Sequence, residues 1–178
     1  MTKMNLSAPL PFVGQKRMFA KEFIKVLDQF PDDTVFVDLF GGSGLLSHIT
    51  KRMKPTSTVV YNDFDNYRFR LAHIPHTNKL LADIRTLVGD SVPKHKAIKG
   101  KLRECVLKRI EEEEASVGYV DFITLSSSLM FSMKYKLSVE EMSKEVLYNN
   151  IRKNGYPESL DYLEGLEIVS CDYKEVYN

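Results

Sequence analysis

From Lys16 to Phe30 the apolar residues Phe19, Phe23, Leu27 and Phe30 recur at helical spacing, which predicts an amphipathic helix ended by Pro31-Asp32-Asp33. The pattern then changes. "TVFVDL" (34–39) is β-branched and apolar at successive positions, as in a parallel strand buried on both faces. After a glycine turn, Leu45, Leu46, Ile49 and Met53 mark one face of a second helix. "STVVYN" (57–62) predicts a second buried strand. Strand, helix and strand in this order make a βαβ unit, with a right-handed crossover expected.

From about Asn66 to Glu164 the pattern is mostly helical, interrupted at Pro75 and Pro93. The stretch 117–133 is its most apolar helix candidate. A further helix is expected to open at Ser138, three residues before Glu141, the spacing of a capping box, and to stop at Asn154-Gly155. "LEIVSCD" (166–172) reads as a third strand. The fold class is therefore α/β, in three zones: 1–65, a helical stretch over 66–164, and 165–178.

Composition narrows the picture. The 178 residues suffice for a real core. A net charge of +1 does not announce a nucleic-acid binder, although a local basic surface remains open. Cys105 and Cys171 lack a CxxC spacing, as expected of a reduced, cytoplasmic protein without structural zinc. The N-terminus lacks the apolar core of a signal peptide, and no run approaches the ~20 apolar residues of a membrane span. The histidines show no metal-ligand spacing, and Ser126–Ser128 form no nucleophile elbow.

The chemistry concentrates at "DLFGGSG", between a buried strand and a helix. Glycines there permit a tight turn and close approach of a ligand to the main chain, and the helix start offers unpaired N–H groups. One strand later stands "YNDFD", whose Asp63 lies where an acid can accept bonds from ribose hydroxyls; the plainer alternative is a tight turn with Asp63 as a helix cap. The pair points to a nucleoside cofactor. The loop is not GxGxxG, because Leu45 and Leu46 follow Gly44, and a GxxxxGK[ST] P-loop is absent. Both features favour S-adenosylmethionine, while a nucleotide-dependent oxidoreductase stays open as an alternative.

Four segments, in order, resemble the Dam-like, D12 class of DNA adenine-N6 methyltransferases: "LPFVGQKRMF", "VFVDLFGGSG", "VVYNDFDNYRF" and "LEIVSCDYKEV". The resemblance covers both ends of the chain and is weak from about Pro75 to Leu160. It implies a Rossmann-like S-adenosylmethionine-dependent methyltransferase core, here a partial sheet, with the helical stretch as a DNA target-recognition insert. Phe12 would pack near the methionyl end or the adenine, and Lys16 would reach the methionine carboxylate. Asp38, Phe40, Gly41, Gly42 and Gly44 would form the loop under the methionyl group. Asp63 would hold the ribose, and Asp172 and Tyr173 would line the adenine side. The resemblance further implies double-stranded DNA as partner and a restriction-modification setting.

One departure limits that expectation. The family's [DNS]PP[YFW] motif, which would orient the target amine and stack on the flipped base, has no counterpart, since no Pro-Pro dipeptide occurs. No catalytic residue is assigned. The expectation is a portion of a methyltransferase that needs a C-terminal half or a second chain and is inactive alone. The rival is an inactive cofactor- or DNA-binding remnant serving as a partner module. The stretch 93–109 carries eight cationic or imidazole side chains and one glutamate. Lys94, Lys96, Lys99 and Lys101 are its candidates for phosphate contact, against the plainer reading of a solvated helix face.

Overall fold

A computed structural model describes residues 4–14, 16–131, 135–159 and 161–172. The chain divides into two compact units, Met1–Ala72 with Glu158–Asn178, and His73–Pro157.

The first unit holds α1 (Ala20–Leu27), β1 (Phe36–Asp38), α2 (Leu45–Met53), β2 (Val59–Asn62), α3 (Tyr67–Ala72) and β5 (Glu167–Val169). Its three strands form a parallel sheet in the order β1-β2-β5, with Phe36 beside Val59 and Tyr61 beside Ile168. Side chains alternate across a strand, and partners in register share a face. Phe36 lies on the face that packs against α1 and α2, with Ala20, Leu27, Leu45 and Ile49 as the buried centre and Phe23, Ile24 and Met53 around it. The other face is open: Val35 is 63% and Val37 52% exposed. Burial of β1 on both faces, expected from its apolar run, is thus corrected, because no described element covers the second face. The helix expected over 16–30 is shorter as well. Lys16–Phe19 is a 3-10 turn, which leaves Phe19 exposed, and the chain leaves α1 at Asp28 so that Phe30 packs edge-on to Phe36 instead, at 5.8 Å.

The second unit is mainly helical: α4 (Ile74–Val88), α5 (Gly100–Val117), α6 (Phe122–Leu129) and α7 (Val139–Ser143). It also contains an antiparallel pair that periodicity does not reveal, β3 (Ala97–Ile98) with β4 (Leu147–Tyr148). Gly118 closes α5 in the left-handed conformation, and Asp121 caps α6 through the Thr124 N–H, so the apolar stretch 117–133 is not one helix. The Ser138 cap forms as expected, with its hydroxyl accepting from the Glu141 N–H at 3.1 Å. The helix it opens ends at Ser143 rather than Asn154, because Leu147 is claimed by β3 and fully buried there.

Candidate functional site

The C-terminal ends of β1, β2 and β5 converge in the first unit. Asn62 joins all three: its amide donates to the carbonyls of Leu39 (3.1 Å) and Cys171 (3.0 Å), and its Oδ1 accepts from the Cys171 N–H (3.1 Å). Beyond these ends opens a cleft of about 370 Å³. One wall is Leu39 to Gly42, one is Phe12, Val13, Gly14 and Lys16, and one is Phe64 and Asp65, with Asp172 at the β5 end. A crevice outside the carboxyl ends of parallel strands is the general ligand position of open α/β sheets.

The glycine loop is shaped by what lies beneath it. A Cβ on Gly41 would stand 2.2 Å from Cε2 of Tyr61 and 2.9 Å from the Asn62 carbonyl oxygen, so only glycine lets the loop lie on β2. Gly44 takes φ 67°, and its N–H donates to the Gly41 carbonyl at 2.8 Å as the chain turns into α2. Asp38 faces α2, where it accepts from Ser47 Oγ at 2.7 Å. The Lys16 ammonium donates to the Phe40 carbonyl at 2.6 Å and so ties the N-terminal segment to the loop. Phe12 meets Tyr67 edge to face, with centroids 5.7 Å apart.

Asp63 is 4% exposed. Its Oδ1 accepts from the Tyr67 N–H (2.5 Å) and lies 3.0 Å from the Tyr61 hydroxyl, and its Oδ2 accepts from the Arg68 N–H (2.9 Å). It caps α3, the alternative its sequence position also allowed. The acid that lines the cleft beside Phe64 is Asp65, which the sequence reading missed; the repeated acid in "DFD" was the available signal. Of the expected cofactor residues, Phe12, Lys16, Phe40, Gly41, Gly42 and Asp172 line the cleft, whereas Asp38, Gly44 and Asp63 are next to residues that line it. Tyr173 lies outside the described residues.

A buried histidine holds this frame from the side. His48 donates from Nδ1 to the Tyr162 carbonyl (2.7 Å), accepts the Asn5 N–H on Nε2 (3.0 Å) and stacks on the Tyr162 ring at 4.5 Å. Only the neutral Nδ1–H tautomer satisfies both bonds. Burial lowers its pKa, against the opposing pull of the Tyr162 carbonyl.

In the second unit, the four candidate lysines are exposed on and around β3 and the start of α5. The Lys94 ammonium donates to the Ile151 carbonyl. Lys96, Lys99 and Lys101 make no side-chain bond or ion pair among the described residues. Arg103 reaches the Ser143 and Glu145 carbonyls, and Arg109 is held by Glu113 (2.6 Å) and Asp83 (2.8 Å). Among the described residues no three His, Cys, Asp or Glu side chains gather where they could hold a metal ion, and no helix is long and apolar enough to cross a membrane.

The D12 class N6 adenine-specific DNA methyltransferase family matches the chain over residues 12–145. A Haemophilus influenzae protein named "Putative methyltransferase" is 41% identical over 173 residues, covering 95% of this chain and 57% of that protein. The chain therefore spans little more than half the length of that curated relative. No solved structure matches it. The chain belongs to the D12 class N6 adenine-specific DNA methyltransferase family.

Proposed function

We propose, from that membership, that the chain is the S-adenosylmethionine-binding portion of a DNA adenine-N6 methyltransferase, with a Rossmann-like core and double-stranded DNA as substrate. The observation that carries this reading is the cleft itself. It lies beyond the strand ends, its floor is a loop with no room for a Cβ at Gly41, and its walls offer a cation, two exposed aromatic rings and acids. These residue types suit a ligand with a carboxylate at one end and a nucleoside at the other. Lys16 meets the carboxylate, and the glycine loop carries the methionyl group over Gly41 and Gly42. Phe40 and Phe64 supply apolar surface for the adenine side, with Asp172 beside them at the β5 end. The acids after β2 serve the ribose: Asp63 as the fixed member and Asp65 as the exposed one. When bound, the cofactor supplies an activated methyl group; the protein's part is to bind and orient it.

The stretch 66–164 is, on this reading, the DNA-contacting insert, with Lys94, Lys96, Lys99 and Lys101 on its phosphate-facing side. The [DNS]PP[YFW] motif that would orient the target amine is absent from these 178 residues. The transfer step is therefore assigned to residues supplied by a longer polypeptide or a second chain, acting in the cytoplasm. Support comes from β1, an edge strand among the described residues with Val35 and Val37 uncovered on one face. Calorimetric titration with S-adenosylhomocysteine should show binding, weakened by Lys16→Met and Asp63→Ala, while NAD should not bind. Absence of S-adenosylhomocysteine binding overturns the cofactor reading. In a tritiated-methyl assay the purified chain should transfer nothing to DNA, and transfer would overturn the partial-enzyme reading.

A further inference from the structure

Tyr61 stands at the junction of the two features that the cofactor reading needs. It is fully buried on β2. Its ring lies under the loop, 2.2 Å from where a Gly41 Cβ would be and 3.3 Å from where a Gly44 Cβ would be. Its hydroxyl oxygen is 2.7 Å from the Gly42 carbonyl oxygen and 3.0 Å from Asp63 Oδ1. A phenol has one proton to donate, and the Gly42 carbonyl and the Asp63 carboxylate both accept. Burial and the adjacent Asp63 charge push the phenol's pKa up, so the proton stays on the ring oxygen.

We propose that Tyr61 is a positioning residue that couples the glycine loop to Asp63 through this single shared proton. The inference rests on the cofactor reading above. Asp63 already receives the Tyr67 and Arg68 N–H groups. When a ribose hydroxyl donates to that carboxylate as well, the phenolic proton settles on the Gly42 carbonyl and fixes the loop in the conformation that receives the other end of the ligand. Without the ribose, the proton divides between the two acceptors and the loop is held less firmly. The nucleoside end thus prepares the site for the amino-acid end, with no movement of the sheet required.

The test is a double-variant cycle on the 178-residue chain, read by calorimetric titration with S-adenosylhomocysteine. Tyr61→Phe keeps the ring under the loop and removes only the hydroxyl. It should weaken binding about three- to tenfold, the scale of one lost hydrogen bond. The double variant Tyr61→Phe/Asp63→Asn should lose less than the product of the two single losses. A second measurement needs no variant. Adenosine, which carries the ribose diol and no amino acid, should slow hydrogen exchange of the Gly44 amide, whose bond to Gly41 closes the loop. Unchanged affinity in Tyr61→Phe, strictly multiplicative losses, or a Gly44 amide indifferent to bound adenosine each overturn the coupling. Failure of the unaltered chain to bind S-adenosylhomocysteine is a separate outcome, which removes the cofactor reading and this coupling with it.

Discussion

Beneath the glycine loop an added atom at Gly41 collides with Tyr61, whereas Lys96, Lys99 and Lys101 are exposed to water. The first region is built by convergence. Three strand ends, an N-terminal segment and a helix start meet, and Lys16, Asp38, Asn62 and Asp63 each have a defined partner. The second is built by exposure, and the phosphate contact proposed for it rests on Lys96, Lys99 and Lys101, which make no side-chain bond or ion pair among the described residues. A convergent site is sensitive to single atoms and indifferent to salt; an exposed basic run should behave in the opposite way. The two regions are therefore expected to fail differently.

The largest effect is expected at Gly41. A methyl group there must displace a fully buried tyrosine and a backbone carbonyl, so Gly41→Ala should cost about 3 kcal/mol of stability, at the upper end of overpacking, and abolish S-adenosylhomocysteine binding. Thermal melting and titration read the two together. Near-normal melting with full binding would mean that the loop is not held against β2.

Asn62→Ala comes next. The side chain is 3% exposed, and its loss leaves the Leu39 and Cys171 backbone groups without their partner. A destabilisation of about 2 kcal/mol is expected in denaturant unfolding, with β5 the first element to lose hydrogen-exchange protection. Uniform loss of protection across the first unit would show that Asn62 does not specifically hold β5.

His48 gives a smaller, pH-dependent effect. Its folded pKa lies below the unfolded value near 6.5, so the unfolded chain binds the proton more readily. The stability it contributes is present above about pH 6.5 and is lost as pH falls through that value toward the folded pKa. Protonation puts a hydrogen on Nε2, where the Asn5 N–H now donates. Denaturant midpoints should fall between pH 7 and pH 5 in the unaltered chain and fall less steeply in His48→Gln. Equal slopes would remove His48 from the acid response.

The smallest effect on stability belongs to the basic stretch. Replacing Lys96, Lys99 and Lys101 by glutamate should change stability by no more than about 0.5 kcal/mol per substitution, since single surface substitutions away from special contacts rarely exceed that. It should weaken DNA binding similarly on all sequences and reduce the slope of log K against log salt by about three. An unchanged slope would leave these lysines as a solvated surface.

The order strand, glycine loop, helix, strand and acid was legible in the chain because each element carries its own local period, and because glycine and aspartate at turns act through their own backbone. Family membership was legible for the same reason: its motifs are short and contiguous. Tertiary structure alone decided the rest. It made Asp63 the cap of α3 and placed Asp65 on the cleft wall, a division between two acids that no spacing shows. It uncovered Val35 and Val37, whose apolar character describes a strand but not what covers it. It cut the helix expected from Ser138 short at Ser143, because Leu147 pairs with Ile98 across the unit. Asn62 joins its strand to Cys171, 109 residues away, and a contact at that separation leaves no trace in local pattern. Sequence periodicity specifies which face of an element is apolar; only packing specifies which neighbour that face, or a polar side chain beside it, will meet.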